Sequence, residues 1–159
     1  MRATTRATRS NIVLRAARPG ECAALSALCL RSKGWWGYDA AFLEACRREL
    51  MIAETDIGDR LRVAAVGGNV AGIVQIARDD GDWHVWKLFV DPPFIGSGVG
   101  GALMLWALDA ARQNGATRLV IEADPGAASF YRRFGAIDAG TVPSGSIPGR
   151  SLPLLTLDL

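Results

Sequence analysis

Residues 91 to 101 read Asp91-Pro92-Pro93-Phe94-Ile95-Gly96-Ser97-Gly98-Val99-Gly100-Gly101. An apolar run, VWKLFV, precedes them, and a helical pattern from about Val99 to Asn114 follows. A strand that passes into a helix through closely spaced glycines leaves few folds open. Glycine admits backbone conformations and close approaches that a Cβ forbids. The helix that opens there presents unpaired amides at the positive end of its dipole, a concavity suited to a pyrophosphate. Gly98 and Gly100 are expected to leave room for that ligand to approach the backbone.

Gly96-x-Gly98-x-x-Gly101 also matches the dinucleotide fingerprint G-x-G-x-x-G, and Glu122 stands where that fingerprint places an acid. The approach to the glycines argues against a dinucleotide. In the fingerprint the first glycine turns directly off the strand, whereas here Asp91 to Ile95, two prolines among them, separate Val90 from Gly96. The fingerprint usually opens its domain, but this one begins at residue 96 of 159. Too few strands follow Glu122 to build a dinucleotide sheet. The other common phosphate loop, G-x-x-x-x-G-K-[ST], is excluded because no lysine follows the glycines.

The remaining patterns supply an order of elements. Asn11 to Ala17 reads as a strand, and Pro19 opens a helix with Cys22, Leu25, Leu28 and Cys29 on one face. Residues 32 to 38, SKGWWGY, interrupt that helix, and Asp39 caps a second one expected to run to Leu50. Arg62 to Val66 and Val70 to Arg78 flank Gly67-Gly68-Asn69 as a hairpin, and Trp83 to Val90 forms the next strand. Alternation along that strand places His84, Trp86, Leu88 and Val90 on one face and Trp83, Val85, Lys87 and Phe89 on the other. After the glycine helix come a strand from Arg118 to Ala123 and a short helix from Pro125 to Phe134. Strands from Ile137 to Val142 and from Leu152 to Leu157 close the chain.

Composition narrows the class further. A chain of 159 residues, half hydrophobic and 21% charged, suits one soluble domain with a single core, expected over residues 11–159. Residues 1–10 are expected to be a flexible terminus. They hold Arg2, Arg6 and Arg9; the 18 basic residues less these three leave 15 against 16 acidic, which argues against a basic face for nucleic acid. No apolar stretch reaches membrane-spanning length. The three cysteines, Cys22, Cys29 and Cys46, form no C-x-x-C pair and are expected as buried free thiols in a reducing cytoplasm, with no metal site.

With these residues in hand, the sequence resembles the GNAT superfamily of N-acetyltransferases. The superfamily signature, a strand and short loop before [Q/R]-x-x-G-x-[G/A] at a helix start, corresponds to Ile95-Gly96-Ser97-Gly98-Val99-Gly100 behind Leu88-Phe89-Val90. Ile95 stands where Gln or Arg is usual, which removes a polar side chain and leaves the amides. A second motif, N-x-x-A-x-x-F-Y-x-x-x-G-F, corresponds to Asp124-Pro-Gly-Ala127-Ala-Ser-Phe130-Tyr131-Arg-Arg-Phe-Gly135-Ala136, with Asp124 for Asn and Ala136 for Phe. The resemblance spans residues 11 to 159. It implies an α/β acyl-CoA N-acyltransferase fold: a mixed, mostly antiparallel sheet of seven strands flanked by four helices.

The resemblance also implies an activity, the movement of acetyl from acetyl-CoA to a primary amine of a small molecule, an amino acid or a protein. The backbone of Leu88, Phe89 and Val90 would pair with the pantetheine arm and polarise the thioester carbonyl. The loop from Ile95 to Gly101 would hold the pyrophosphate, and Asp124 would bond the pantetheine or cap the following helix. Tyr131 matches the tyrosine that protonates the departing thiolate. His84, the only histidine, lies four residues before Leu88, where histone-acetylating members carry a glutamate base. The SKGWWGY loop falls where the superfamily builds its acceptor pocket, and Arg150 could meet an acidic acceptor. Dimerisation is common in the superfamily, which leaves a homodimer open. The departures at Ile95 and Asp124 leave a second reading open too, a CoA-binding regulatory module without turnover.

Overall fold

A computed structural model describes residues 11–159, so the expectation for residues 1–10 lies outside it. Seven strands form one sheet in the order β1-β2-β3-β4-β5-β7-β6. They are β1 (Ile12–Ala16), β2 (Leu61–Val66), β3 (Asn69–Asp79), β4 (Asp82–Val90), β5 (Arg118–Glu122), β6 (Ile137–Pro143) and β7 (Ser151–Asp158). Every neighbouring pair is antiparallel except β4 and β5, which run parallel. The connection between those two is the helix α3 (Val99–Gln113), which the glycine segment opens.

The two faces of the sheet bury separate cores. On one, α3 lays Val99, Leu103, Met104, Ala107 and Ala111 against Val74, Ile76, Leu119 and Ile121. On the other, α1 (Cys22–Gly34) and α2 (Ala40–Cys46) cover Leu61, Val63 and Ile73 with Leu25, Cys29 and Cys46. Cys29 and Cys46 are buried and Cys22 is partly so, all three as free thiols. Burial pushes the Cys29 thiol up to about 12, consistent with an inert core residue.

Several helix boundaries differ from the sequence expectation, and the first helix opens at Cys22, three residues beyond Pro19. The first helix does not stop before Ser32 but continues through Gly34, so Ser32 and Lys33 belong to its last turn. Trp35 N–H then bonds Ser32 O at 3.2 Å, and Gly37 turns the chain at φ 86°. Asp39 does cap α2 by accepting from Phe42 N–H, but the helix ends at Cys46, and turns carry the chain to Leu50. The last helix, α4, spans only Ala128–Arg132, because Asp124 accepts from Gly126 N–H at 3.0 Å and holds Pro125-Gly126 in a turn.

The face assignment along β4 also changes. Register shifts between Gln75 and Ile76, which pair with Lys87 and Val85, and this leaves Trp86 as an extra residue. Trp83, Val85, Leu88 and Val90 therefore all pack on the α3 side, while Phe89 packs on the α1 side. Simple alternation fails at the bulge, and Val85 and Lys87 do not share a face. The bulge turns Lys87 toward α1.

Gly72 on β3 fixes how closely α3 approaches the sheet. A Cβ there would lie 2.8 Å from the Phe89 carbonyl oxygen and 3.0 Å from both Leu103 and Val99. Two of those neighbours are core side chains and the third is backbone, so none gives way cheaply. Gly72→Ala is expected to destabilise the fold by about 1–3 kcal/mol in urea unfolding. An unchanged midpoint would mean that α3 can move off the sheet at no cost.

Candidate active site

The site begins where β4 and β5 part. They pair only at Trp83 with Leu119 and at His84 with Val120, and beyond His84 they diverge. The β5-facing edge of β4 from Val85 to Val90 is therefore open, although its other edge pairs with β3 as far as Val90. A cavity of about 820 Å³ fills the divergence. Its walls include the β4 residues His84 to Val90, the loop residues Ile95, Gly96 and Gly98, and Gly100, Gly101, Glu122, Asp124 and Tyr131.

The glycine segment forms one end of this cavity. Pro92–Phe94 makes a single helical turn, and Ser97 then bonds back to the Phe94 carbonyl through both its amide and its hydroxyl. Gly96 and Gly98 have φ of 81° and 93°, and nothing lies within 4 Å of where a Cβ on Gly96 would be. Their requirement is conformational. Gly100 differs: a Cβ there would lie 3.3 Å from the Phe130 ring and 3.5 Å from Val90. Its missing side chain lets α4 pack on α3. The contact with Phe130 adds a packing reason for Gly100 beside the expected room for a ligand, and Gly100 also lines the cavity. Among the described residues, the amides of Gly96, Gly98, Val99, Gly100 and Gly101 have no acceptor, and Ala102 N–H makes the first helical bond, to Gly98 O at 3.1 Å. These free donors cluster at the N-terminus of a 15-residue helix.

Leu88, Phe89 and Val90 lie along the open edge, opposite Val74, Ile73 and Gly72 of β3. Backbone N–H groups alternate in direction along a strand, so at least one of these three points into the divergence. Tyr131 closes the far wall. It is buried, with its ring edge-on to Phe130 at 5.1 Å. Among the described residues nothing hydrogen-bonds its hydroxyl, and the residue lines the cavity. Burial, reinforced by the Asp124 carboxylate, pushes this phenol well above its ordinary value, so it stays protonated. His84 lies across the opening at the last β4–β5 pair, its ring 6.0 Å from that of Trp86.

Asp124 is engaged by this chain's own groups. Its carboxylate accepts from Lys33 Nζ at 2.9 Å, from the Tyr38 hydroxyl at 2.8 Å and from Arg150 at 3.5 Å. Arg150 also donates to the Tyr38 hydroxyl at 2.5 Å and covers the stacked Tyr38 and Phe42 rings. Burial alone would raise the Asp124 carboxyl, but these donors outweigh it and hold it below the usual aspartate range. The cluster ties the end of α1, the α1–α2 loop, the β5–α4 loop and the β6–β7 loop around one side of the cavity. Trp36 seals the seam: its ring lies against Gly126, where a Cβ would come within 2.6 Å. The sequence reading singled out Arg150 and the SKGWWGY loop without joining them to Asp124. They meet only in three dimensions, across separations as large as 112 residues.

A strand pair that splays beside a glycine-opened helix, with a tyrosine on the far wall, is a specific arrangement, and sequence comparison agrees with it. The model of the acetyltransferase (GNAT) family matches residues 30–136. The chain belongs to the GNAT acetyltransferase family. An uncharacterized, ycf52-like N-acetyltransferase of Prochlorococcus marinus is 37% identical over 67 residues. That match covers 40% of this chain and 37% of the relative, well under half of each. A GCN5-related N-acetyltransferase from Rhodopseudomonas palustris superposes with a TM-score of 0.75 at 22% identity, covering 92% of this chain and 95% of its own. The PaiA N-acetyltransferase of Thermoplasma acidophilum, crystallised with coenzyme A, gives 0.74 at 16% identity and covers 93% and 99%. At such identities these structures establish the GNAT fold, with its seven-stranded, mostly antiparallel sheet and four helices.

Proposed function

We propose that this protein is an acetyl-CoA-dependent N-acetyltransferase acting on a primary amine by direct attack. The observation that carries the proposal is the continuity of one cavity from the free amides of the glycine loop, along the open edge of β4, to Tyr131 and His84. The free amides of Gly96, Gly98, Val99, Gly100 and Gly101 suit the pyrophosphate, and the side chain of Ile95 is not needed for that bond. The pantetheine arm would add to the open edge of β4 as a pseudo-strand, leaving an amide of Leu88, Phe89 or Val90 to polarise the thioester carbonyl.

The neutral amine attacks the carbonyl carbon and forms the C–N bond. As the C–S bond breaks, the departing thiolate takes the Tyr131 proton. The proton lost by the ammonium passes to His84, directly or through water. Asp124 is proposed to shape the acceptor side through Lys33, Tyr38 and Arg150, since those groups already occupy its carboxylate. Three free thiols suit a reducing cytoplasm, and among the described residues no helix is long and apolar enough to cross a membrane.

The test is thiol release from acetyl-CoA across an amine panel, with each product's mass increase confirmed. Amine-dependent thiol release is expected; binding of CoA with no turnover of any amine would favour the regulatory module. His84→Gln is expected to lower kcat/KM about 100-fold near neutral pH. A rate equal to that of the wild type would remove His84 from the mechanism.

A further inference from the structure

Lys87 is a buried cation without an anion. Only 8% of the residue is exposed. Its Nζ donates to Gln75 Oε1 at 3.3 Å, and Gln75 in turn donates to Asp56 Oδ1 at 3.0 Å. Among the described residues Lys87 forms no ion pair with any carboxylate. The charged or ionisable groups that act on it are Asp56, the Cys29 thiol and Glu49, and burial outweighs all three, holding the lysine below its ordinary value. Glu49 is itself exposed and takes the Ser146 hydroxyl.

Buried charges are normally paired, because desolvating an unpaired ion costs several kcal/mol. An ammonium has three donors, and Gln75 uses one. Lys87 also lines the cavity, immediately before the Leu88–Val90 edge. The bulge at Trp86 turns it away from α3, toward the side bounded by Lys33, Trp36 and Arg150. Lys33 and Arg150 are already committed to Asp124. Among the described residues that line the cavity on that side, Lys87 is the cation left for a ligand.

We infer that Lys87 is a specificity residue for an acceptor that carries a carboxylate as well as its amine, an amino acid or a compound like one. The carboxylate pairs with Nζ while the amine faces the thioester beside β4. This assignment rests on the transferase reading above.

The test uses the CoA-loaded protein, with glycine, β-alanine, 4-aminobutyrate and L-phenylalanine compared with their carboxamides. At least one acid is expected to raise the unfolding temperature where its carboxamide does not, and to be acetylated with kcat/KM higher by about 10-fold or more. Lys87→Met is expected to raise KM for that acid about 10-fold and so to remove most of the preference for the acid over its carboxamide. Lys87→Arg should retain part of the preference. The inference is overturned if no acid stabilises the protein beyond its carboxamide, or if Lys87→Met keeps the preference. Stabilisation by CoA alone, measured on wild type and both variants, reads the transferase proposal separately and also shows that the variants fold.

Discussion

Replacing Tyr131 by phenylalanine is expected to slow acetyl transfer by about 100- to 1,000-fold while leaving the affinity for acetyl-CoA and the stability of the fold almost unchanged. The three parts of that expectation have separate origins. The rate falls because the thiolate would leave without a proton. A phenol ordinarily titrates near 10 and a thiol near 8.5. On the proposed mechanism, burial that raises the Tyr131 phenol would also raise a thiol formed beside it, and donor and leaving group would remain matched. Affinity persists because the glycine-loop amides and the β4 edge do not involve the hydroxyl. Stability persists because, among the described residues, the hydroxyl has no hydrogen bond to lose, and the ring remains in place against Phe130. Single-turnover rates with a saturating amine, beside a melting curve, separate the three. An undiminished rate would assign Tyr131 to packing alone.

The second large effect is on stability. Asp124→Asn leaves Lys33 and Arg150, whose side chains are 13% and 19% exposed, facing each other without their shared anion. Breaking such a pair from one side is expected to cost about 3 kcal/mol at pH 7, or roughly 6–12 °C for a domain of this size. Adding Lys33→Met should restore part of the loss, because it removes one of the stranded charges. The pH dependence has a definite sign. The Asp124 carboxyl titrates lower in the folded protein than in the unfolded chain. Its contribution is therefore present in full above the unfolded value of about 3.9 and is lost as pH falls through the folded value. The gap between wild type and Asp124→Asn should close only in that acid range, as read by urea unfolding at stepped pH. A gap that stayed constant down to pH 2 would assign the loss to packing and not to charge.

The sequence showed the order of elements well, because glycines, prolines and apolar runs are local signals. The strand before the glycine loop, the helix after it and the Phe130-Tyr131 segment could all be read from neighbouring residues. What could not be read depends on contacts between distant segments. The bulge at Trp86 has no local signature, and it alone moves Val85 to the α3 side and Lys87 to the α1 side. That Gly100 also serves packing could not be read, because its neighbour Phe130 is 30 positions away. The side-chain partners of Asp124 could not be read, because Lys33, Tyr38 and Arg150 come from three other segments. One signal went unread: a lysine inside the run VWKLFV is unusual for a buried strand and could have drawn attention to Lys87.

The most direct test of the central claim is thermal unfolding with CoA, acetyl-CoA, NAD and NADP, each added separately. A ligand at 100 times its Kd stabilises the native state by about 2.7 kcal/mol, which is roughly 5–10 °C for a domain of this size. A shift of that order with CoA and acetyl-CoA, and none with the nicotinamide cofactors, is the predicted result. A shift with NAD or NADP alone would contradict it, and would mean that the glycines of residues 96 to 101 serve a dinucleotide after all.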